Sequence, residues 1–314
     1  MTFDSLDDAL RSLVTALLTE GESVAPRKMP TLEMRAVCFS IRDPRRRYIS
    51  LEPRHWSLPY AVGEFCWHAA ASNRLDAISF YAPRWKQMSD DGTTIRSSCY
   101  GAKIFGNRNG LGSQWNVVRD LLVADPATRR AVLVLAEPLD FQSVMSSDVS
   151  CAASLQFLVR DRRLDAIGTM RSNDVMLGLP YDVFLFTMLQ EMMACETQMD
   201  PGEYHHIVGS LHLYDGDLRI AKRISESRAL LSEPMPKMRS LDGLASILEA
   251  EKMLRTGEVT DIIRSSSAPN YWDDLVSVIR YRSAKRRDKN QRIDTLVNIP
   301  LYQSLLKLGV RSNR

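Results

Sequence analysis

The sequence predicts an α/β (α+β) fold, because segments with helical periodicity alternate with short apolar segments that are typical of strands. The clearest helix is Ser5–Glu20, where leucine and valine recur every three or four residues and Gly21 follows as a stop. The clearest strands are Ser154–Arg160 and Leu164–Met170, which a charged turn joins. Hydrophobic residues form 45% of the 314 residues, enough for a large core.

The same patterns place the remaining elements in chain order. The interval Thr93–Gly112 is rich in Gly, Ser and Asn and predicts a loop. The segment Asp200-Pro-Gly is expected to end the long helix before it. The predicted helices are Leu58–Ala71, Trp115–Ala124 and Tyr181–Gln198. The predicted strands are Arg130–Leu135, His205–Tyr214 and parts of Arg35–Leu51.

The C-terminal part of the chain differs in character from the rest. It carries amphipathic helical patterns with a Ser-rich link, Ser265–Pro269, between the first two. We therefore predict a catalytic domain over 1–235 and a divergent helical extension over 236–314 that packs on the same domain. The basic run Lys285–Arg292 is better explained as a solvated helix end than as an anion-binding patch. The predicted helices are Ser240–Arg255, Tyr271–Arg287 and Thr295–Leu308.

Charge and cysteine content narrow the functional classes. The formal net charge is only +3, so no nucleic-acid partner is expected, whereas anionic small substrates are compatible. Five cysteines without a CxxC pair argue against a disulfide framework or a metal site. The acidic N-terminus and the lack of a long apolar run predict a soluble, cytoplasmic protein without a membrane span.

A lone cysteine, Cys151, stands between a polar stretch and a predicted strand. Such a cysteine is usually a small buried residue. Its neighbourhood favours a reactive thiol instead, because nearby positive charge stabilises the thiolate. Arg129 and Arg130 precede it, and Arg171 ends the neighbouring predicted strand. Guanidinium groups also suit an anionic group such as a phosphate, because they form bidentate hydrogen bonds with it.

A series of motifs in fixed order surrounds this cysteine. An Arg-Arg pair is followed by Cys151, by Gln156-Phe157, by RSNDVMLGLP at 171–180, and by a His-x-Tyr motif at 212–214. In identity, order and spacing this series resembles thymidylate synthases. The resemblance is clear over about 125–214, weaker over 5–101, and cannot be followed beyond about Pro234. It implies a large mixed sheet that forms the interface of a homodimer.

The resemblance also implies catalytic roles. Cys151 would add to C6 of a pyrimidine and make C5 nucleophilic. Glu64 would organise proton transfers through water, and Tyr100 would lie near the reacting carbon. Without the resemblance, Glu64 would be read as a helix-surface carboxylate. Asp182, the last of the four implied catalytic residues, would form the hydrogen bonds that select the base.

The remaining implied roles concern the nucleotide and a folate. Arg129 and Arg130 would reach the 5′-phosphate from the partner subunit. The folate 5,10-methylenetetrahydrofolate would be the co-substrate, and no metal is implied. The implied nucleotide-binding residues are Arg27, Arg129, Arg130, Gln156, Arg171, Ser172, His212 and Tyr214. The implied folate-binding residues are Trp85, Asp174 and Gly178.

One substitution in the motif changes the predicted substrate. Thymidylate synthases carry Asn where this chain has Asp182, and that amide answers the N3–H donor and O4 acceptor of uracil. Cytosine presents an N3 acceptor and an N4 donor instead. A carboxylate accepts from N4 and favours protonation at N3, or is itself protonated and donates to N3. In this respect the chain is similar to deoxycytidylate hydroxymethylases.

Another departure from the family pattern concerns the product. Ala82 stands where the family has a tryptophan that packs near the transferred carbon. A small residue would admit water, which gives a hydroxymethyl rather than a methyl product. Further departures affect the water network around the site. They are Ala152, Met170 and Gly216.

The sequence therefore predicts a C5 hydroxymethylase of a cytidine monophosphate. The pattern at Arg129 and Ser172 favours dCMP over CMP. One alternative is C5 methylation of dCMP or dUMP. Another is a homologue that binds a nucleotide or RNA without catalysis.

Overall fold

The structure is a computed structural model that describes residues 1–107, 112–142, 146–259, 270–290, 292–293 and 295–309. The chain divides into two compact units. The first, here called the sheet unit, comprises Met1–Trp56, Val117–Ala136 and Ser150–Met235. The second, the helical unit, comprises Ser57–Asn116, Glu137–Val149 and Pro236–Arg314. The division into a catalytic domain over 1–235 and an extension over 236–314 stays a prediction.

The sheet unit is built on a seven-stranded mixed sheet, as predicted. The strands are β1 Thr2–Phe3, β2 Glu22–Val24, β3 Thr31–Ile41, β4 Val132–Val134, β5 Ala152–Arg160, β6 Arg163–Asp174 and β7 Asp200–Tyr214. Their order is β1-β3-β7-β6-β5-β4, with β2 paired to β3. The β1–β3 and β6–β7 pairs are parallel, and the other pairs are antiparallel.

Ten α-helices occur in the described part of the chain. They are α1 Leu6–Glu20, α2 Leu58–Ala69, α3 Leu75–Ser79, α4 Tyr100–Phe105, α5 Gln114–Ala124, α6 Gly178–Thr197, α7 Leu218–Glu226, α8 Leu244–Thr256, α9 Tyr271–Arg287 and α10 Pro300–Leu308. None of them has the length and hydropathy that a bilayer crossing requires. The link Ser265–Pro269 lies outside the described residues.

Helix α1 begins where the sequence predicts. The hydroxyl of Ser5 accepts a hydrogen bond from the backbone N–H of Asp8, which satisfies one donor of the first turn. Leu6, Leu10 and Leu13 are fully buried. The helix therefore covers the sheet unit with the apolar stripe that its periodicity predicted.

Helix α6 connects the two central parallel strands. It follows β6 after a three-residue turn and returns the chain to β7, so the three elements form a β–α–β crossover. Most of its residues are buried, including polar ones, because it lies against β6 and β7. The helix begins at Gly178, three residues before the predicted start. The strand β7 begins at Asp200, in the segment predicted to be only a helix stop.

The predicted strand in Arg35–Leu51 ends at Ile41, because side chains rather than a neighbouring strand satisfy the backbone beyond it. The buried carboxylate of Asp7 accepts from the backbone N–H groups of Ser50 and Leu51 and from the Ser50 hydroxyl. Burial raises the pKa of Asp7 to about 6. The guanidinium of Arg47, fully buried, pairs with Glu191 on α6.

The helical unit packs α2 against α8, α9 and α10. The ring of Phe65 stacks on Trp272 at 6.2 Å between centroids, and the Tyr81 hydroxyl donates to Glu251 at 2.9 Å. The C-terminal helices are therefore present as predicted, although α8 begins four residues and α10 five residues later than expected.

One helix of this unit contradicts the sequence prediction. Residues 100–105 form α4 within the interval predicted to be a loop. The cause is a tertiary contact: the backbone N–H of Gly101 donates to Nδ1 of His68 at 3.0 Å. A Cβ at Gly101 would lie 1.9 Å from the backbone oxygen of His68, so only glycine allows this approach.

Candidate active site

The motif residues of the sheet unit meet where β6 ends and α6 begins. Four consecutive residues close β6: Arg171 is exposed, Ser172 and Asp174 are half-buried, and Asn173 is 3% exposed. In the parallel pairing with β7, Ser172 lies opposite Ser210 and Asp174 lies opposite His212. The last residues of two neighbouring strands are thus brought to one edge of the sheet.

Cys151 lies at the same edge, just before β5, and Arg171 holds it from the neighbouring strand. The backbone N–H of Arg171 donates to the Cys151 carbonyl at 2.8 Å, and its Nε donates to the Ser150 carbonyl at 2.7 Å. These bonds leave Nη2 3.6 Å from Sγ of Cys151. A fixed positive charge beside sulfur favours the thiolate.

Other cysteines of the chain lie in different surroundings. Cys66 and Cys99 are buried, and burial raises the pKa of both thiols, that of Cys99 to about 12. Cys151 is only half-buried. Partial exposure beside a guanidinium is the environment expected of a nucleophilic cysteine, whereas Cys66 and Cys99 are core residues.

His212 and Tyr214 end β7 beside this group. The Nδ1 atom of His212 lies 3.4 Å from the Ser172 hydroxyl, and the two rings meet edge to face at 5.1 Å. Burial raises the pKa of Tyr214; the charges of Asp174 and Cys151 add to the rise, and that of Arg27 opposes it. These groups are therefore within electrostatic reach of one another. Arg27 itself is exposed and has a left-handed backbone at φ 50°.

Two acidic residues lie around the start of α6. The Oδ1 atom of Asp174 accepts from the backbone N–H groups of Met176 and Leu177 at 2.8 and 3.1 Å. Its pKa is raised by burial. The Oδ2 atom of the half-buried Asp182 accepts from Nδ2 of Asn173 at 2.8 Å. A Cβ at Gly178 would lie 3.3 Å from that oxygen, so this position brings the helix backbone close to the carboxylate.

Three residues that were predicted to bind the nucleotide take no part in the hydrogen bonds around β6 and α6. Arg129 and Arg130 are exposed, and neither guanidinium forms an ion pair with a described residue of this chain. The amide of Gln156, on β5, donates to the backbone carbonyl of Arg129 at 3.1 Å. Both arginines line a surface cavity with Thr128 and are accessible to a ligand.

Glu64 belongs to a buried group in the helical unit. It is 8% exposed on α2, and the Tyr60 hydroxyl donates to its Oε1 at 2.5 Å. The indole N–H of Trp85 donates to the Tyr60 hydroxyl at 3.0 Å, and the guanidinium of Arg84 lies 5.6 Å from the Tyr60 ring. Burial raises the pKa of Glu64 to about 7, although Tyr60 and Arg84 oppose the rise. Such a carboxyl can give or take a proton near neutral pH.

Tyr100 lies in the same unit against His68. Their rings stack at 5.4 Å with an interplanar angle of 3°. Burial lowers the pKa of His68 to about 3, so its imidazole is neutral and its Nδ1 accepts from Gly101. Tyr100 is thereby held in one orientation, and it is 5% exposed.

Beside the predicted site residues, the structure places others that the sequence did not indicate. Sequence reasoning missed Asn173, Tyr204 and His206 in the sheet unit, and Tyr60 and His68 in the helical unit. Asn173 lies within the motif at 171–180, and that position could have indicated a role in the site. Tyr204 and His206 are two residues apart and so lie on one face of a strand, which is a weaker indication. In the described part of the chain no cluster of three His, Cys, Asp or Glu could hold a metal ion. The predicted residues gathered at the β6–α6 edge are Cys151, Arg171, Ser172, Asp174, Gly178, Asp182, His212 and Tyr214.

Comparison with known proteins decides the family. The sequence model of the family described as thymidylate synthase matches residues 12–249. The chain belongs to the thymidylate synthase family. A thermostable thymidylate synthase A from Bacillus subtilis has the same fold: the TM-score is 0.63 at 22% identity, over 75% of this chain and 90% of that one.

Two relatives are named for transfer of a hydroxymethyl group. A deoxyuridylate hydroxymethyltransferase of Bacillus phage SP01 is 30% identical over 216 residues, which cover 65% of this chain and 56% of that protein. A deoxycytidylate 5-hydroxymethyltransferase of Enterobacteria phage T4 is 28% identical over 166 residues, 49% of this chain and 66% of that protein. The chain thus spans a little over half the length of the first of these relatives.

The raised pKa of Glu64 generates a stability prediction. The pKa is about 7 in the folded protein against 4.5 for a solvated carboxyl, so the folded state binds this proton more tightly. Its contribution to stability is full below about pH 4.5 and is lost as the pH rises through 7. Glu64→Gln should therefore gain stability relative to wild type between about pH 5 and 8, measured by urea unfolding.

A matched control is Glu249→Gln, because Glu249 is an exposed glutamate of the same unit. It should follow the pH dependence of wild type. Equal pH dependence for wild type and Glu64→Gln would show that Glu64 is not a buried carboxyl with a raised pKa.

Proposed function

We propose that this protein is a cytidylate C5 hydroxymethyltransferase that uses 5,10-methylenetetrahydrofolate as its one-carbon donor. Family membership and the two hydroxymethyltransferase relatives support transfer of a one-carbon unit to a pyrimidine nucleotide. The observation that carries the choice of base is the carboxylate of Asp182, the fifth residue of α6, with one oxygen bonded to Asn173.

Asp182 suits cytosine for a reason of donors and acceptors. An ionised carboxylate accepts from the N4 amino group and favours a proton on N3, which then also donates to it. Uracil would place its O4 acceptor against the same carboxylate, and such a mismatch of buried polar groups costs about 1–3 kcal/mol. The bond from Asn173 to Oδ2 favours the ionised form.

Cys151 is the proposed nucleophile. Its thiolate, beside the Arg171 guanidinium, forms a bond to C6 of the pyrimidine, and the ring electrons move to C5. C5 then bonds to the one-carbon unit, and loss of the C5 proton with departure of tetrahydrofolate leaves an exocyclic methylene group. Water adds to the exocyclic carbon, and departure of the cysteine sulfur from C6 restores the aromatic ring. The product is 5-hydroxymethyl-dCMP, or the ribose analogue.

Side chains of the helical unit are proposed to carry out the proton transfers. Glu64, whose pKa is about 7, is the proposed group that passes protons through water to and from the base. Tyr60 and Trp85 fix its orientation through the chain of two hydrogen bonds. Tyr100, held by neutral His68, is the proposed neighbour of the reacting carbon.

The chain also offers groups that fit a folate. Bound 5,10-methylenetetrahydrofolate would supply a carbon at the oxidation level of formaldehyde. The second carboxylate oxygen of Asp174 accepts from no donor in the described part of the chain, which suits the N–H groups of a pterin ring. The lack of a side chain at Gly178 keeps the helix backbone close to Asn173 and Asp182, where a Cβ would lie 2.9 Å from Nδ2 of Asn173. The half-buried indole of Trp85 is the third proposed contact. These three residues would hold the co-substrate.

The nucleotide phosphate and the subunit partner are proposed together. Arg27 and Arg171 would bind the 5′-phosphate with Ser172, while His212 and Tyr214 face the sugar and Gln156 contributes from β5. We propose that the sheet forms a homodimer, because its outer face exposes apolar side chains. Ile207 on β7 is 39% and Val134 on β4 is 49% exposed. Arg129 and Arg130 would then reach the partner's phosphate.

Subunit mixing tests the shared site. Neither Cys151→Ala nor Arg130→Ala protein should be active alone. Mixed in conditions where subunits exchange, they should recover up to about a quarter of wild-type activity, because one of two sites in each hybrid dimer is intact. Exchange without recovery would exclude a site shared in this way.

A second candidate is hydroxymethylation of deoxyuridylate, which the relative from phage SP01 favours by its higher identity of 30%. Methylation would require a hydride in place of water. The small Ala82, where the family has a tryptophan, favours attack by water instead. A homologue that only binds nucleotide is the remaining alternative. Mass analysis of products from CMP, dCMP, UMP and dUMP separates these candidates.

Cys151→Ser tests catalysis directly. We expect it to reduce release of tritium from C5 of labelled dCMP by at least about a thousandfold, because an alcohol is a far weaker nucleophile than a thiolate. Nucleotide binding by calorimetry should stay near that of wild type. Cys195→Ser, at another half-buried cysteine, is the control and should release tritium normally. Normal release by Cys151→Ser would exclude it as the nucleophile.

Asp182→Asn tests the choice of base. The two side chains are nearly isosteric, but the amide can accept from N3–H and donate to O4 of uracil. We expect kcat/KM for dCMP to fall at least about tenfold, which corresponds to ~1.4 kcal/mol, and the relative activity on dUMP to rise. If the ratio of the two constants does not move, Asp182 does not read the base.

A further inference from the structure

Three hydrogen bonds connect the core of the sheet to Asp182. The Tyr204 hydroxyl lies 2.7 Å from Nδ1 of His206, Nε2 of His206 lies 2.9 Å from Oδ1 of Asn173, and Nδ2 of Asn173 lies 2.8 Å from Oδ2 of Asp182. Tyr204 and His206 are 0% exposed and Asn173 is 3% exposed. We call Tyr204, His206 and Asn173 the relay. No step of the proposed reaction uses it.

Each hydrogen bond of the relay is donated in the same direction, from Tyr204 towards Asp182. Burial lowers the pKa of His206 to about 3, so the ring is neutral and carries a single N–H. The phenol of Tyr204 stays protonated because burial raises its pKa, with a further rise from the charge of Asp182. In the described part of the chain its hydroxyl has only His206 Nδ1 as acceptor, so the ring proton lies on Nε2 and is donated to Asn173.

The direction of donation determines that Asp182 accepts a hydrogen bond from Asn173. Since Oδ1 of Asn173 accepts from His206, its Nδ2 must face Asp182 and donate. The opposite direction would need a protonated Asp182, a flipped Asn173 amide and the other tautomer of His206. It would leave the buried hydroxyl of Tyr204 without an acceptor, at a cost of about 1–3 kcal/mol. The phenol therefore favours the ionised form of a carboxylate that lies three hydrogen bonds away.

Glycines make room at both ends of the relay. A Cβ at Gly168 on β6 would lie 2.5 Å from the Tyr204 hydroxyl oxygen. A Cβ at Gly178 would lie 2.9 Å from Nδ2 of Asn173. A side chain at either position would push apart a bond of the relay. The backbone is thus fitted to these bonds at two separate elements.

We propose that Tyr204, His206 and Asn173 are positioning residues that keep Asp182 an acceptor and so set the preference for a cytosine over a uracil ring. The inference rests on the proposed function, in which Asp182 reads the base. An acceptor-only Asp182 takes the N4 hydrogen of cytosine but cannot donate to O4 of uracil. Selectivity then depends on a phenol in the core that the nucleotide does not touch.

Tyr204→Phe is the direct test, because it removes one oxygen and keeps the ring. Without that O–H, His206 can adopt either tautomer and Asp182 can hold a proton. We expect the ratio of kcat/KM for dCMP to that for dUMP to fall at least about threefold. The acid limb of the pH profile with dCMP should move to higher pH, a change that loss of stability alone does not produce.

Tyr48→Phe is the matched control. Tyr48 is 3% exposed in the same unit, and its hydroxyl donates to the Glu233 carbonyl at 2.6 Å, away from the relay. It should lose comparable stability and keep both the substrate ratio and the pH profile of wild type. If Tyr204→Phe behaves like Tyr48→Phe in both measurements, the inference is overturned.

A second measurement does not depend on turnover. In nucleotide-free protein with ¹³C-labelled aspartate, the Asp182 carboxyl signal, assigned by its loss in Asp182→Asn, should titrate at higher pH in Tyr204→Phe than in wild type. An unchanged titration would also overturn the inference. Failure of the proposed function gives a different result: wild type itself would then form no hydroxymethylated cytidylate, whatever Tyr204→Phe does to the titration.

Discussion

The parallel pairing of β6 with β7, closed by α6, is the constraint on which the site of the sheet unit depends. Parallel neighbours end at the same edge, so the last residues of β6 and β7 must lie side by side. The chain then has only three residues to turn from β6 into α6. Asp174, Asp182 and His212 consequently have little freedom of position, although they come from three elements.

Burial changes the pKa values of the histidines and of the carboxyl groups in opposite directions. Burial holds His68 and His206 neutral, with pKa values of about 3, so neither changes its charge near pH 7. Each imidazole then serves as an oriented donor or acceptor. Glu64 is buried to a similar degree, but its raised pKa of about 7 makes it change charge where the histidines cannot. In the proposed reaction, acid–base work therefore falls to a carboxyl and positioning to the imidazoles.

Much of the fold could be predicted because its signals are local. The periodicity of α1, the paired strands β5 and β6, and the motif through Asp182 each lie within one short stretch of sequence. The helix α4 could not be predicted, since it depends on the approach of Gly101 to His68, 33 residues away. The segment after Ile41 reads as a strand, but its backbone bonds to the side chain of Asp7. The relay joins residues on two strands to Asp182 on α6, which no local pattern reveals.

The order of the strands has a consequence for synthesis on the ribosome. The Ser40–His205 bond joins residues that are 165 positions apart, and β3 lies against β7 along most of its length. The nascent chain therefore exposes one edge of β3 until β7 has left the exit tunnel. Pairing over such a separation is slow, and an open strand edge can meet other chains first. The long sequence separation of β3 from β7 makes production of this protein sensitive to translation rate and to chaperones that cover strand edges.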